Sequence, residues 1–318
     1  MTVALIFIAS VLIALALGAL TRWVDRKVTA LVQARVGPPW YQPVADVLKL
    51  LGKETLVPEQ SQGMGFLAAP MLGFAGACAA AAVLIGTLLG GEGFLGDVVV
   101  LVYLLTIPAV AVIFGACASG SPVSVTGASR EMKMLLAYEL PLLIAILTTL
   151  LRAGAGAPDF RFETVLAFQR DHGWLLYSTA PDGAGFAVSG IIGFVVALVA
   201  LQAKLGLVPF DVAEAEQELM GGVISEYAGA PLALIRLTKM MLVCLAVVFL
   251  GTLFLGGFDF STLGAGVASV LKYVAVLVLV VLVRNTNPRL RIDQILWVFW
   301  GPVTALAVLG LVLAAWGY

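Results

Sequence analysis

Charge is scarce in this 318-residue sequence: 12% of it is Asp, Glu, Lys or Arg, about half the share of a soluble domain. That excludes a disordered chain and a nucleic-acid-coating surface, both of which need an excess of charge. Cysteine and histidine are scarcer still, at three and one. Cys78, Cys117 and Cys244 stand far apart in apolar runs, without a Cys-x-x-Cys pair. An iron–sulfur cluster usually needs four thiolates, and structural zinc needs four Cys or His ligands. Neither set exists, so the thiols read as small buried hydrophobes and His172 as a solvated residue of a polar connection. No cofactor or metal is expected on this chain, and Gly-rich phosphate cradles and Ser-His-Asp arrangements are absent as well.

Hydrophobic residues are what the sequence has, at 61%, with a mean hydropathy of +1.07. A hydrocarbon core of about 30 Å is crossed by about 20 apolar helical residues. Eight stretches qualify: 3–20, 65–89, 98–118, 132–151, 186–207, 232–255, 267–283 and 295–316. Their length and lack of alternation exclude an outer-membrane barrel. The expected fold is an all-α integral membrane protein, one polytopic domain over 1–318, with about eight transmembrane helices. A short amphipathic helix is expected in the first cytoplasmic loop.

Of the eighteen Lys and Arg residues, fourteen flank the connections after the odd-numbered spans. The positive-inside rule therefore assigns segments 21–64, 119–131, 208–231 and 284–294 to the cytoplasm and both termini to the outside. The first span has no basic residue before it and no small-residue cleavage site, so it reads as a retained helix rather than a signal peptide. No internal repeat of the kind that marks secondary transporters is found. The outer connection from Arg152 to Gly185 reads as a partly ordered cover.

In the first cytoplasmic loop Pro43 is suited to begin a helix. Val44, Val47, Leu48 and Leu51 then share one face, with Asp46, Lys49 and Lys53 on another, which fits either a surface anchor or a docking platform. In the third loop, Asp211, Glu214, Glu216, Glu218 and Glu226 occur without a single Lys or Arg among them, against the usual cytoplasmic trend. Hydrated, they would be ordinary anions. Crowded or partly buried, they would suit holding and passing protons, with Arg35, Lys49 or Arg130 as countercharge. Glu139, in Ala137-Tyr138-Glu139-Leu140-Pro141, lies inside the fourth span. An acid there is either a neutral hydrogen-bonded link between helices or a marker of a proton pathway. Lys204, near the end of the fifth span, either snorkels or pairs with such an acid. Arg284, Arg289 and Arg291 in the last loop either anchor orientation or contact an acidic partner or the acidic loop.

Taken together, these segments resemble the H-type (subunit 1) membrane family shared by respiratory complex I and the energy-converting hydrogenases. The resemblance is carried by Arg35-Val36-Gly37-Pro38, Gln42-Pro43-Val44-Ala45-Asp46 with Lys49-Leu50, Ser129-Arg130-Glu131, Tyr138-Glu139-Leu140-Pro141, Pro209-Phe210-Asp211 with Glu214, Glu216 and Glu218, Glu226-Tyr227, and Arg289-Leu290-Arg291-Ile292-Asp293-Gln294. It spans nearly the whole chain. In quinone-reducing members the first loop is longer between Gly-Pro and Gln-x-x-Ala-Asp. Here it is compressed to Gly37-Pro38-Pro39-Trp40-Tyr41-Gln42-Pro43, which looks like the group 4 membrane-bound [NiFe] hydrogenases.

The resemblance implies a non-redox membrane subunit of an oxidoreductase complex in a prokaryotic cytoplasmic membrane. It would anchor the hydrogenase large and small subunits on the cytoplasmic face and neighbour antiporter-like membrane subunits. The [NiFe] centre and iron–sulfur clusters would belong to those partners. Glu139, Asp211, Glu214, Glu216, Glu218 and Glu226 would form a proton pathway, and Arg35, Asp46, Lys49, Arg130 and Arg291 would meet the peripheral arm. The alternative is the quinone-binding membrane component of the same type in a complex I relative.

Overall fold

A computed structural model describes residues 3–89, 97–154, 159–176 and 188–316. Among them the regular structure is entirely helical: α1 (Val3–Val32), α2 (Gln42–Leu51), α3 (Gly63–Leu88), α4 (Asp97–Ala118), α5 (Pro122–Ala153), α6 (Phe162–His172), α7 (Val188–Lys204), α8 (Glu216–Leu219), α9 (Gly229–Phe254), α10 (Leu263–Thr286) and α11 (Ile292–Ala315), besides one short 3₁₀ turn. Seven of these, α1, α3, α4, α5, α9, α10 and α11, are long and apolar enough to cross a membrane. The shorter apolar α7 has 17 residues, at the lower limit for a span. The expected start of that span at Phe186 lies outside the described residues.

Two helices run well beyond their apolar windows. α1 continues past Leu20 to Val32, so the segment expected to open the first loop is helical. Arg22 and Asp25 pair three residues apart at 3.0 Å on that extension, a spacing that supports a helix. α5 starts at Pro122, with proline in the first turn where its missing N–H costs nothing. Arg130 and Glu131 are therefore helical rather than part of a loop. In α11 the backbone widens to a π turn over Phe299–Val303 around Pro302, and the Thr304 hydroxyl donates to the Phe299 carbonyl at 2.5 Å.

The amphipathic helix α2 is present, but its contacts differ from the expected stripe. Pro43 takes the second rather than the first position, after Gln42. Val47 is buried with Leu50 against Ala233, Leu237 and Met240 of α9, whereas Val44, Leu48 and Leu51 are exposed. The apolar residues are split because α2 leans one edge on α9 and leaves the other to its surroundings. Arg26 of α1 ties the helix down through Asp46 at 2.8 Å, with Gln42 also donating to Asp46. Burial alone would push the Asp46 carboxyl up, but these two hydrogen bonds outweigh it and hold it below its ordinary value. The tether is thus complete at neutral pH and loosens only as pH falls through that lowered value.

Helices approach closely through small residues, as in membrane bundles generally. A Cβ at Gly18 of α1 would sit 2.8 Å from the Met240 carbonyl oxygen of α9. Gly18→Val is therefore expected to push α1 from α9 and destabilise the bundle by about 1–3 kcal/mol, read as a lower melting temperature in detergent. Within the connection that follows α5, α6 is pinned to the end of α9. Gln169 donates to the Thr252 and Leu253 carbonyls at 3.1 and 3.0 Å. Residues 155–158 and 177–187 of that connection lie outside the described residues. His172 is exposed at the end of α6.

At the opposite side, the basic face, the loops with the excess of Lys and Arg meet. Gln62 donates from its backbone to Ala118, and Leu290 to Pro209. Of the cysteines, Cys78 and Cys244 are buried as expected, but Cys117 is exposed on α4. Cys117 lies with Phe114 on the outward side of α4, while its neighbours Ala116 and Ala118 are buried.

Candidate functional site: an acidic loop opening onto a buried ion pair

The acidic loop folds back into the bundle because apolar residues alternate with its acids. Phe210, Val212, Ala213 and Ala215 are buried, and Phe210 packs on Phe299 with ring centroids 5.1 Å apart. Anchoring these residues turns Asp211 toward a cation of the α10–α11 connection and Glu214 toward one on α9. Asp211 pairs with Arg289 at 2.7 Å, Glu214 pairs with Lys239 of α9, and Glu218 pairs with Arg130 of α5. Glu216 is exposed, and Glu226, in the stretch that follows α8, is half-buried. The expectation of crowded acids with countercharge from Arg35, Lys49 or Arg130 is thus corrected in part. Arg130 serves, while Arg35 and Lys49 are exposed elsewhere. Lys239 and Arg289 supply the rest, because the loop folds inward rather than toward α2.

Two cavities follow one another behind this loop. A wider one of about 290 Å³ is lined by the cations Arg22, Lys239, Arg284 and Arg289 and by the acids Asp211, Glu214 and Glu216. It shares Asp211, Glu214 and Lys239 with a narrower cavity of about 60 Å³ that also touches Glu131, Tyr227 and Lys204. That volume has room for several waters. Tyr227 closes one wall, stacked on Phe66 at 4.2 Å and donating to the Phe66 carbonyl at 3.1 Å. Burial pushes its phenol above the ordinary tyrosine range.

Beyond the narrow cavity lies the buried pair. Lys204 Nζ is 3.7 Å from Glu139 Oε2, with side chains 4% and 18% exposed. It donates to Thr106 Oγ1 at 2.8 Å, and Thr106 lies 3.3 Å from Glu139 Oε1. The Lys204 ammonium also sits 5.6 Å from the centre of the Tyr138 ring. Of the two sequence readings of Lys204, pairing is the one realised. A second charge cluster joins α1 to α10: Arg284 donates to both oxygens of Asp25, at 2.8 and 2.7 Å, beside Arg22.

The structure therefore brings Asp211, Glu214 and Glu216 onto the cavities and Glu139 beside them through Lys204, while Glu218 and Arg130 pair at the rim. Arg35, Lys49 and Arg291 stay exposed on the basic face, and Asp46 is engaged by Arg26. Sequence reasoning missed Lys239, Glu131 and Thr106 as members of the site. Lys239 and Glu131 had a signal, being charged groups near the ends of apolar runs. Thr106 had none. Among the described residues no group of His, Cys, Asp and Glu side chains is arranged to hold a metal ion.

The ion pairs differ in what their loss costs. Arg130→Ala removes a rim contact with a half-exposed acid and is expected to change stability by under about 1 kcal/mol. Lys239→Ala strands Glu214 in the cavity wall, with an expected loss of about 1–3 kcal/mol. Thermal melting of the two variants side by side checks the order.

This fold and site define a polytopic membrane subunit with a charged route running from a loop face to its interior. The chain belongs to the NADH dehydrogenase family, whose sequence pattern it matches over residues 3–315. It is 33% identical over 313 residues to the H subunit of the NADH-quinone oxidoreductase of Thermomicrobium roseum, covering 93% of this chain and 90% of that one. It is 31% identical over 307 residues to NADH-quinone oxidoreductase subunit 8 of Thermus thermophilus, covering 92% and 80%. Among solved structures, it matches a chain of the membrane-bound sulfane sulfur reductase, an archaeal respiratory membrane complex. That match has a TM-score of 0.84 and 25% identity, covering 99% of this chain and 100% of that one.

Proposed function

We propose that this chain is the membrane-anchoring and proton-coupling subunit of an energy-converting oxidoreductase complex, on the [NiFe] hydrogenase branch of its family. The observation that carries the coupling role is the cavity leading from the acidic loop to the buried Lys204–Glu139 pair. Protonation of the loop acids, driven by redox chemistry in partner subunits, would change the charge felt by that pair. The perturbation would pass on to antiporter-like neighbours in the membrane. Arg35, Lys49 and Arg291, exposed on the basic face, are available to the large and small subunits, which would hold the [NiFe] centre and the clusters. The basic face would be cytoplasmic, in a prokaryotic inner membrane, with both termini outside.

The hydrogenase branch is favoured by the short first loop. It is pinned to α1 by Trp23 donating to the Pro38 carbonyl at 3.3 Å and Lys27 to that of Val36 at 2.5 Å. The second reading, a quinone-binding H-type component of a complex I relative, is favoured by the names of the curated relatives. The test is made on the intact complex, purified through a tag on this chain. Nickel content, H₂ evolution from a reduced low-potential donor, sulfane-sulfur reduction and quinone reduction are measured together. Nickel with H₂ evolution is expected. Quinone or sulfane-sulfur reduction without nickel would remove the hydrogenase assignment and leave the coupling role to be judged by Glu139→Gln.

A further inference from the structure

We propose that Lys204 is the proton relay between the cavity and Glu139, with the Thr106 hydroxyl as its bridge. This relay rests on the coupling role proposed above and names the residue on which that role turns.

Lys204 lines the narrow cavity, and Glu139 does not. The contact between the two joins the acid to the cavity. Lys204 is the last residue of α7, and the chain turns away two residues later at Gly206, which has a φ of +58°. A lysine at a helix end ordinarily extends its ammonium toward water. This one points inward instead, between α4 and α5, where Thr106, Glu139 and the Tyr138 ring surround it. Its ammonium thus links the carboxylates that line the cavity, Glu131, Asp211 and Glu214, to Glu139, which stands outside that lining.

The hydrogen bonds form a two-step wire. Lys204 Nζ donates to Thr106 Oγ1 at 2.8 Å, and Thr106 Oγ1 lies 3.3 Å from Glu139 Oε1. The Thr106 hydroxyl also has the Val102 carbonyl within reach at 2.9 Å, so it alternates between a parked and a relaying orientation. In the relay step an N–H proton of Lys204 moves to Thr106 Oγ1, while the threonine's own proton moves to Glu139 Oε1. The products are a neutral amine, an unchanged threonine and a carboxylic acid. The amine then takes a proton from the cavity, and Glu139 releases its proton onward. A lysine can take this part because an ammonium gives up a proton, whereas a guanidinium does not.

That difference supplies the experiment. The intact complex is reconstituted in liposomes, and the initial rate of ion uptake driven by a reduced low-potential donor is followed in wild type, K204R, T106V and E139Q. Subunit composition and metal content serve as the assembly control. K204R keeps the charge but not the transferable proton, and uptake is expected to fall roughly a hundredfold, the usual contribution of a positioned acid–base group. T106V is nearly isosteric and leaves the ion pair in place, so it guards against poor accommodation of arginine. Its uptake is expected to fall about tenfold, below the range for losing the group itself. Wild-type uptake in either variant overturns the relay. If E139Q also takes up ions normally, the coupling role itself fails. Normal uptake in K204R with none in E139Q removes the relay alone and leaves Lys204 as a countercharge.

Discussion

Glu139→Gln is expected to leave the complex assembled, with its full metal content, and to abolish ion translocation. The substitution preserves shape and one hydrogen-bonding oxygen, so packing between α4 and α5 has little reason to change. What it removes is a group that can hold a proton in a low-dielectric interior, where a charged side chain is costly and marks a pathway. The loss should exceed a hundredfold in the rate of ion uptake into proteoliposomes, because no other carboxyl group among the described residues pairs with Lys204. Glu214→Gln is expected to act in the same direction, since Glu214 belongs to both cavities. Unaltered pumping in both variants would refute the acidic route.

The second large effect is on stability. Asp25 is 4% exposed and accepts hydrogen bonds from Arg22 and from Arg284 on α10. Asp25→Ala removes the shared anion and leaves two guanidinium groups facing each other in a partly buried site. Breaking a buried charge pair from one side typically costs about 3–5 kcal/mol, enough to unfold a marginal membrane bundle. The variant is expected to accumulate poorly in membranes and to melt well below wild type. Asp25→Asn should fall between the two, because it keeps one acceptor. A melting temperature for Asp25→Ala within a degree of wild type would show that the cluster contributes nothing to the α1–α10 contact.

Hydropathy made the spans legible, since a helix in hydrocarbon must be apolar for about 20 residues. Helix ends were not legible by the same signal. Hydropathy marks only the apolar part, and α1 and α5 both continue as helices through Arg22 and Arg130. Glu139 and the acidic loop stood out because carboxyl groups are rare in those settings. The pairing of Lys204 with Glu139 was legible as one of two alternatives. Lys239 as partner of Glu214 was not, because it depends on the loop folding inward on its buried Phe210, Val212 and Ala213. Thr106 was hidden altogether, since a threonine in an apolar run ordinarily bonds its own helix backbone, and this one does that as well. The division of the α2 stripe was likewise unreadable: periodicity defines a face, and only the neighbour decides which edge of it is covered.

The ending of α7 at Lys204 has an electrical consequence. Glu139 lies close to the middle of α5, about 25 Å along the axis from Pro122 and about 21 Å from Ala153 at 1.5 Å per residue. The cavity with its charged walls extends inward to Lys204, the partner of Glu139, and beyond that pair α5 turns buried Leu142, Ile146 and Leu150 inward. A transmembrane voltage falls mainly across the apolar portion of its path. Of the roughly 2.3 kcal/mol per unit charge that 100 mV imposes, a proton arriving at Glu139 from the basic face has met only the smaller share. On the proposed route the fractional electrical distance of that first leg would be short, and the voltage-dependent leg would begin where α7 ends.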